Sequence, residues 1–148
     1  AEVLEPAGVA PAGAVAAFRP PESAYDAATR LLRRPDRPTA LLCFSDAFAA
    51  QALRAAEALG LRVPEDLSVV GFDDGPLATS LAPALTTVAQ DVTEKGRLAV
   101  AGLLEVMAAA RAADQGPDGA PGGPTAARTV MATSLVVRDS TTHPPADS

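Results

Sequence analysis

At 148 residues the chain is long enough for one domain with a buried core. Apolar residues make up 48% of it, much of that alanine, and with no Trp and one Tyr the core must be built from Ala, Leu and Val. A net charge of −6 argues against non-specific nucleic-acid binding, which rests on Lys and Arg contacts to phosphates, and against docking on an anionic membrane.

Residues 1–20 are rich in Ala, Gly and Pro, and within them Ala14–Phe18 reads as a short strand. From Glu22 to Arg34, apolar residues fall at Ala24, Tyr25, Ala28, Leu31 and Leu32. That is helical spacing, with Ser23 as a candidate cap. Pro35 and Pro38 bracket the turn that ends it. Thr39–Phe44 is a continuous apolar run of strand length. It contains the single cysteine, Cys43, which has no internal disulfide partner and reads as a small core residue rather than a reactive thiol.

Ser45 and Asp46 are both good helix N-caps, and Ala47–Leu59 reads as a helix with Gly60 at its C′ position. Leu67–Phe72 is a second buried-strand run. Strand, helix and strand at this spacing make a βαβ unit with parallel strands and a right-handed crossover. Leu85–Val88 is a third strand, and Val92–Ala110 a helix weakened by Gly96 and Gly102. Residues 111–127, centred on the run Gly116–Pro124, read as a flexible insertion without a core. Thr129–Val137 returns as a last strand, and residues 143–148 form a disordered tail. The fold class is therefore α/β, a mostly parallel sheet flanked by helices. No apolar stretch approaches the ~20 residues that span a bilayer, and no secretion signal opens the chain.

In open α/β sheets, ligands bind beyond the carboxyl ends of the strands. Ser45 and Asp46 follow the first strand, Asp73 and Asp74 the second, Gln90 and Asp91 the third. Carboxylates and an amide around a cleft suit a polyol, whose hydroxyls donate to carboxylate oxygens while Gln both donates and accepts. Each has a plainer reading: Ser45 or Asp46 as a helix cap, Asp73 and Asp74 as a strand stop, Gln90 as a solvated loop residue. Paired carboxylates also suit acid–base chemistry or a divalent cation, but no third ligand is evident. The only histidine, His143, lies in the loose tail, and there is no nucleophile elbow, phosphate loop, dinucleotide fingerprint or zinc spacing. No metal, cofactor or catalytic residue is expected.

The string Val63-Pro-Glu-Asp-Leu-Ser-Val-Val-Gly-Phe-Asp-Asp74 resembles the lactose-repressor/galactose-repressor (LacI/GalR) family of bacterial transcription regulators. Further matches follow in order: Glu22–Ala27, Arg37–Asp46, Pro83–Asp91 and Thr133–Thr141, together covering roughly residues 18–142. The resemblance implies a periplasmic-binding-protein-like fold in which two α/β lobes close on a small-molecule effector, a sugar by expectation, residues 1–142 being the C-terminal lobe. Carried over by position, Asp73 and Gln90 match effector contacts. Ser45 stands where Asn is common, and Phe18 or Arg19 falls near an aromatic that stacks on the ligand. Asp46 then looks more like a cap than a ligand. The helix Ala47–Leu59 and the segment Pro76–Leu81 match surfaces that pair subunits, with Ala50 and Leu81 as exposed dimer contacts. The expected protein is a cytoplasmic homodimer and not an enzyme. Operator DNA would be read only through an N-terminal helix-turn-helix that, like the first sensor lobe, does not precede this region. The alternatives are a lobe of an exported sugar-binding protein for a transporter, and an enzyme using Asp73 and Asp74.

Overall fold

The computed structural model describes residues 21–114 and 128–143. The predicted strand Ala14–Phe18, most of the predicted insertion and most of the tail fall outside them. In chain order the elements are α1 (Ala24–Leu32), β1 (Ala40–Leu42), α2 (Asp46–Ala58), β2 (Ser68–Asp73), α3 (Pro76–Ser80), β3 (Thr86–Ala89), α4 (Val92–Asp114) and β4 (Ser134–Val136). One unit takes in the chain up to Ala89 and again from Leu135; a second runs from Gln90 to Ser134.

The first unit is built on a sheet of order β1-β2-β3-β4. β1 pairs parallel to β2 with Leu41 opposite Val69, and β2 pairs parallel to β3 with Phe72 opposite Val88. The β1–α2–β2 crossover is the expected βαβ unit. α1 and α2 are bounded by local signals. Ser23 caps α1 in a capping box, its hydroxyl accepting from Asp26 N at 3.2 Å while the Asp26 carboxylate accepts from Ser23 N at 3.2 Å. α2 ends in a Schellman arrangement, with Gly60 at φ +71°. Gly60 N donates to Glu57 O and Leu61 N to Ala56 O, both at 2.9 Å.

α2 packs on β2 and against α1. The core between them is Leu32, Ala49, Ala52, Leu53, Ala55, Ala56, Leu67, Val69, Ala78 and Leu85. The alanine face of α2 is what lets the helix lie close to the strands, as the composition requires. Cys43 packs at the edge of this core, half-buried, and burial pushes its thiol up to about 11, so it stays protonated and inert at neutral pH.

Three sequence expectations need correction. α3 was not foreseen, because five residues beginning at Pro76 are too short to show periodicity; proline at the first helical position is what starts it. α4 runs on to Asp114, so the first four residues of the predicted insertion are helical, continuing the alanine-rich run. β4 covers only Ser134–Val136 of the nine residues from Thr129 to Val137.

The C-terminal segment is tied into the sheet by side chains. Ser140, fully buried, donates from its hydroxyl to Val69 O at 2.6 Å and accepts from Thr86 N at 2.8 Å. Its carbonyl accepts from Val69 N at 2.8 Å. In the second unit α4 is capped by Asp91, whose carboxylate accepts from Glu94 N at 2.8 Å. Its Val100, Leu103, Leu104 and Met107 are exposed. No helix among the described residues is long and apolar enough to cross a membrane.

Candidate functional site

The parallel pairing of β1 and β2 places the residues after both strands at one edge of the sheet. Ser45 and Asp46 follow β1; Asp73 closes β2, and Asp74 and Gly75 follow it. The two candidate residues after β1 divide the work differently from what the sequence suggested. Ser45 is the N-cap of α2, its hydroxyl accepting from Phe48 N at 3.3 Å. A hydroxyl has one donor and two acceptor positions, so capping uses only part of its capacity. Asp46, read from the sequence as a cap, is instead buried at 4% exposure. Its Oδ1 accepts from the Thr87 hydroxyl at 2.6 Å, and its Oδ2 accepts from Gly75 N at 2.9 Å.

The turn after β2 has an unusual backbone. Asp73 has φ +114° and Asp74 φ +54°. Non-glycine residues in such conformations cost about 1–3 kcal/mol each and persist only where the surroundings hold them. Side chains from other elements help to hold this turn. Gly75 N is taken by Asp46, and Asp74 Oδ1 accepts from Arg138 Nη2 at 2.7 Å. Arg138 Nη1 donates to Leu85 O at 2.8 Å, so the same guanidinium is anchored on the chain entering β3. The Arg138–Asp74 pair is largely shielded, with side-chain exposures of 19% and 27%.

Asp73 therefore presents a carboxylate from a fixed backbone at the carboxyl edge of a parallel sheet, an acceptor suited to hydroxyl or amine hydrogens. Ser45 stands at the same edge. Gln90 directly follows β3 and opens the second unit, where its Oε1 accepts from Lys95 Nζ at 3.2 Å. Phe18 and Arg19 lie outside the described residues. Among the described residues no cluster of acidic, Cys and His side chains could hold a metal ion.

Sequence reasoning missed an aromatic feature at this edge. Phe44, the residue before Ser45, is 70% exposed and lies against Phe48 with ring centroids 4.3 Å apart and planes tilted by 37°. The signal was available: a large apolar residue continuing past the end of a strand. It was absorbed into the strand run. Leu81, expected to be exposed, is half-buried against the core, and Ala50, expected likewise, is buried at 7%. It reaches the surface only as part of the lining of a groove of about 330 Å³ shared with Leu53, Arg54, Val63, Leu81 and Pro83.

A family model described as a periplasmic binding protein-like domain matches residues 1–141. The HTH-type transcriptional repressor PurR of Proteus mirabilis is 47% identical over 85 residues, covering 57% of this chain and 25% of the repressor. The ribose operon repressor of Haemophilus influenzae is 48% identical over 75 residues, covering 51% and 23% respectively. The chain thus spans about a quarter of the length of the curated relatives it matches. Among solved structures, a LacI family regulator from Arthrobacter sp. FB24 in complex with lactose aligns with TM-score 0.59 and 36% identity, over 80% of this chain and 40% of that one. The lac repressor dimer bound to operator and the anti-inducer ONPF aligns with TM-score 0.62 and 32% identity, over 80% and 37%. These relatives are transcriptional repressors and regulators, which favours the regulator reading over a transporter lobe or an enzyme. The family model spans nearly the whole chain, so the chain belongs to the periplasmic binding protein-like domain family, in the form found in LacI/GalR regulators.

Proposed function

We propose that the chain is the effector-binding and dimerisation portion of a DNA-binding transcriptional repressor, and that its effector is a sugar. The observation that carries this reading is the Asp73–Gly75 turn, a carboxylate set on a held left-handed backbone at the carboxyl edge of the sheet, in a chain whose relatives are repressors. A lactose-bound neighbour supports the sugar class. Asp73 accepts hydrogen bonds from the effector, and Ser45, Gln90, Phe18 and Arg19 supply further wall contacts. The protein pairs as a homodimer through the surface of α2 and Leu81. Operator DNA is read by a separate helix-turn-helix, and the regulator works in the cytoplasm. Effector binding changes DNA affinity by favouring one arrangement of the intact protein over another.

The test is calorimetric titration of the intact regulator with lactose and D-ribose. Asp73→Ala should weaken binding by on the order of 2 kcal/mol, the worth of a hydrogen bond to a charged group, or roughly thirtyfold in Kd. DNA binding should persist while the response to sugar is lost. Unchanged sugar affinity in that variant would show that Asp73 is not an effector contact.

A further inference from the structure

We infer that Asp46 is a positioning residue that presets the Asp73–Gly75 turn for the effector, rather than a helix cap or an effector contact. The inference rests on the reading that Asp73 meets the effector, and it explains how Asp73 is held. Three features of the fold converge on the Asp46 carboxylate. The cap of α2 is already supplied by Ser45, so capping does not account for Asp46. Its side chain is buried, and burying a carboxylate is unfavourable unless its oxygens are satisfied. Both are satisfied by groups from other elements: the Thr87 hydroxyl on β3 at 2.6 Å and the Gly75 amide after β2 at 2.9 Å. One side chain thus joins the start of α2, the middle of β3 and the turn bearing Asp73.

The second feature is the space made for it. A Cβ on Gly71 of β2 would clash with Asp46 Oδ1 and would stand 2.7 Å from Leu85 Cδ2. The strand is bare at the one point where the carboxylate passes over it. The third feature is the conformation that Asp46 secures. Asp73 and Asp74 both have positive φ, and the next amide in the chain is the one Asp46 accepts from. With that amide released, a restraint on the two aspartates is lost, which favours their relaxation toward ordinary φ. That rotation would carry the Asp73 carboxylate away from its place at the sheet edge. Arg138 holds the same turn from the other side through Asp74, and that restraint remains when Asp46 is lost.

The experiment compares Asp46→Ala, Asp46→Asn and Thr87→Val in the full-length protein. Amide hydrogen exchange at Gly75 is followed by NMR, and lactose and D-ribose affinities by titration. A core variant, Leu67→Ala, serves as the control and is compared at equal loss of melting temperature. In Asp46→Ala, exchange at Gly75 should quicken at least about tenfold and sugar affinity should fall at least about tenfold, on the order of 1.4 kcal/mol. Asp46→Asn keeps an oxygen that can accept from Gly75 and should restore most of both. Leu67→Ala should move neither. If Asp46→Ala does not fold, Thr87→Val decides. It keeps the shape of the threonine but removes the hydroxyl that orients the carboxylate, so Gly75 exchange should quicken and affinity drop. Unchanged Gly75 exchange in the folded variants, or an affinity loss matched by Leu67→Ala, would overturn the proposal. The exchange measurement needs no ligand. Wild-type protein that binds neither sugar would therefore count against the functional reading, while exchange at Gly75 still decides the role of Asp46.

Discussion

At the scale of single residues, the site depends on which of two neighbouring side chains caps α2. Ser45 and Asp46 are equally good caps by propensity, and only the tertiary fold separates them: Ser45 is extended at φ −156° and bonds Phe48 N, whereas Asp46 is already helical and points into the interior. The same environment sets the requirement at position 71. Gly71→Ala should destabilise the fold by about 1–3 kcal/mol, because the added methyl meets Asp46 Oδ1 and Leu85 Cδ2 in a packed region. Chemical denaturation of the two proteins measures it, and equal midpoints would mean that the Asp46 carboxylate moves aside without cost. The positive φ angles of Asp73 and Asp74 were not legible in the sequence. Aspartate tolerates the left-handed region, but two adjacent aspartates read equally well as a strand stop. The turn is tied to distant partners, Asp46 through Gly75 and Arg138 through Asp74, and side-chain partners that far apart in the chain leave no local signature.

At the scale of elements, the sequence was most legible where a local rule acts alone. The Schellman end of α2 at Gly60 and the parallel β1–α2–β2 unit are set by short-range chemistry and period, and they were found to within a residue or two. The limits of β4 and the existence of α3 were not, since neither element is long enough to show a period. The capping box of α1 is a local device whose strength can be measured. Ser23→Ala should cost about 1 kcal/mol, the typical worth of a hydroxyl cap. It should also change the acid limb of the stability curve. The Ser23 hydroxyl, at 2.7 Å, and its backbone amide both donate to Asp26 and hold that carboxyl below its usual range. A depressed folded-state value contributes stability above the unfolded carboxyl's titration, lost as pH falls through the folded value. Melting temperatures of Ser23→Ala and the parent protein, measured down the acid range, should therefore converge as Asp26 protonates. A constant gap at all pH values would show that the hydroxyl acts only on the backbone.

At the scale of the whole molecule, the proposed pairing of two copies would use the groove that α2 shares with Leu81. In that proposal Ala50 would form part of the groove's floor rather than an exposed contact, since it is buried. Leu81→Asp places an unpaired charge on that surface and should raise the dimer dissociation constant at least about tenfold, ~1.4 kcal/mol. Sedimentation velocity of the intact protein reads this directly, and an undiminished dimer would move the interface elsewhere.

The seat of Ser140 has a consequence for how the chain is made. Its hydroxyl and backbone reach Val69 across a separation of 71 residues and Thr86 across 54, filling hydrogen-bonding positions on two strands synthesised long before it. Contacts so distant in sequence are slow to form, because the intervening chain must be ordered first. On the ribosome, β2 and β3 emerge with Val69 and Thr86 still wanting these partners. These positions are filled only once Ser140 has been made, so late completion of the sheet is built into the order of translation.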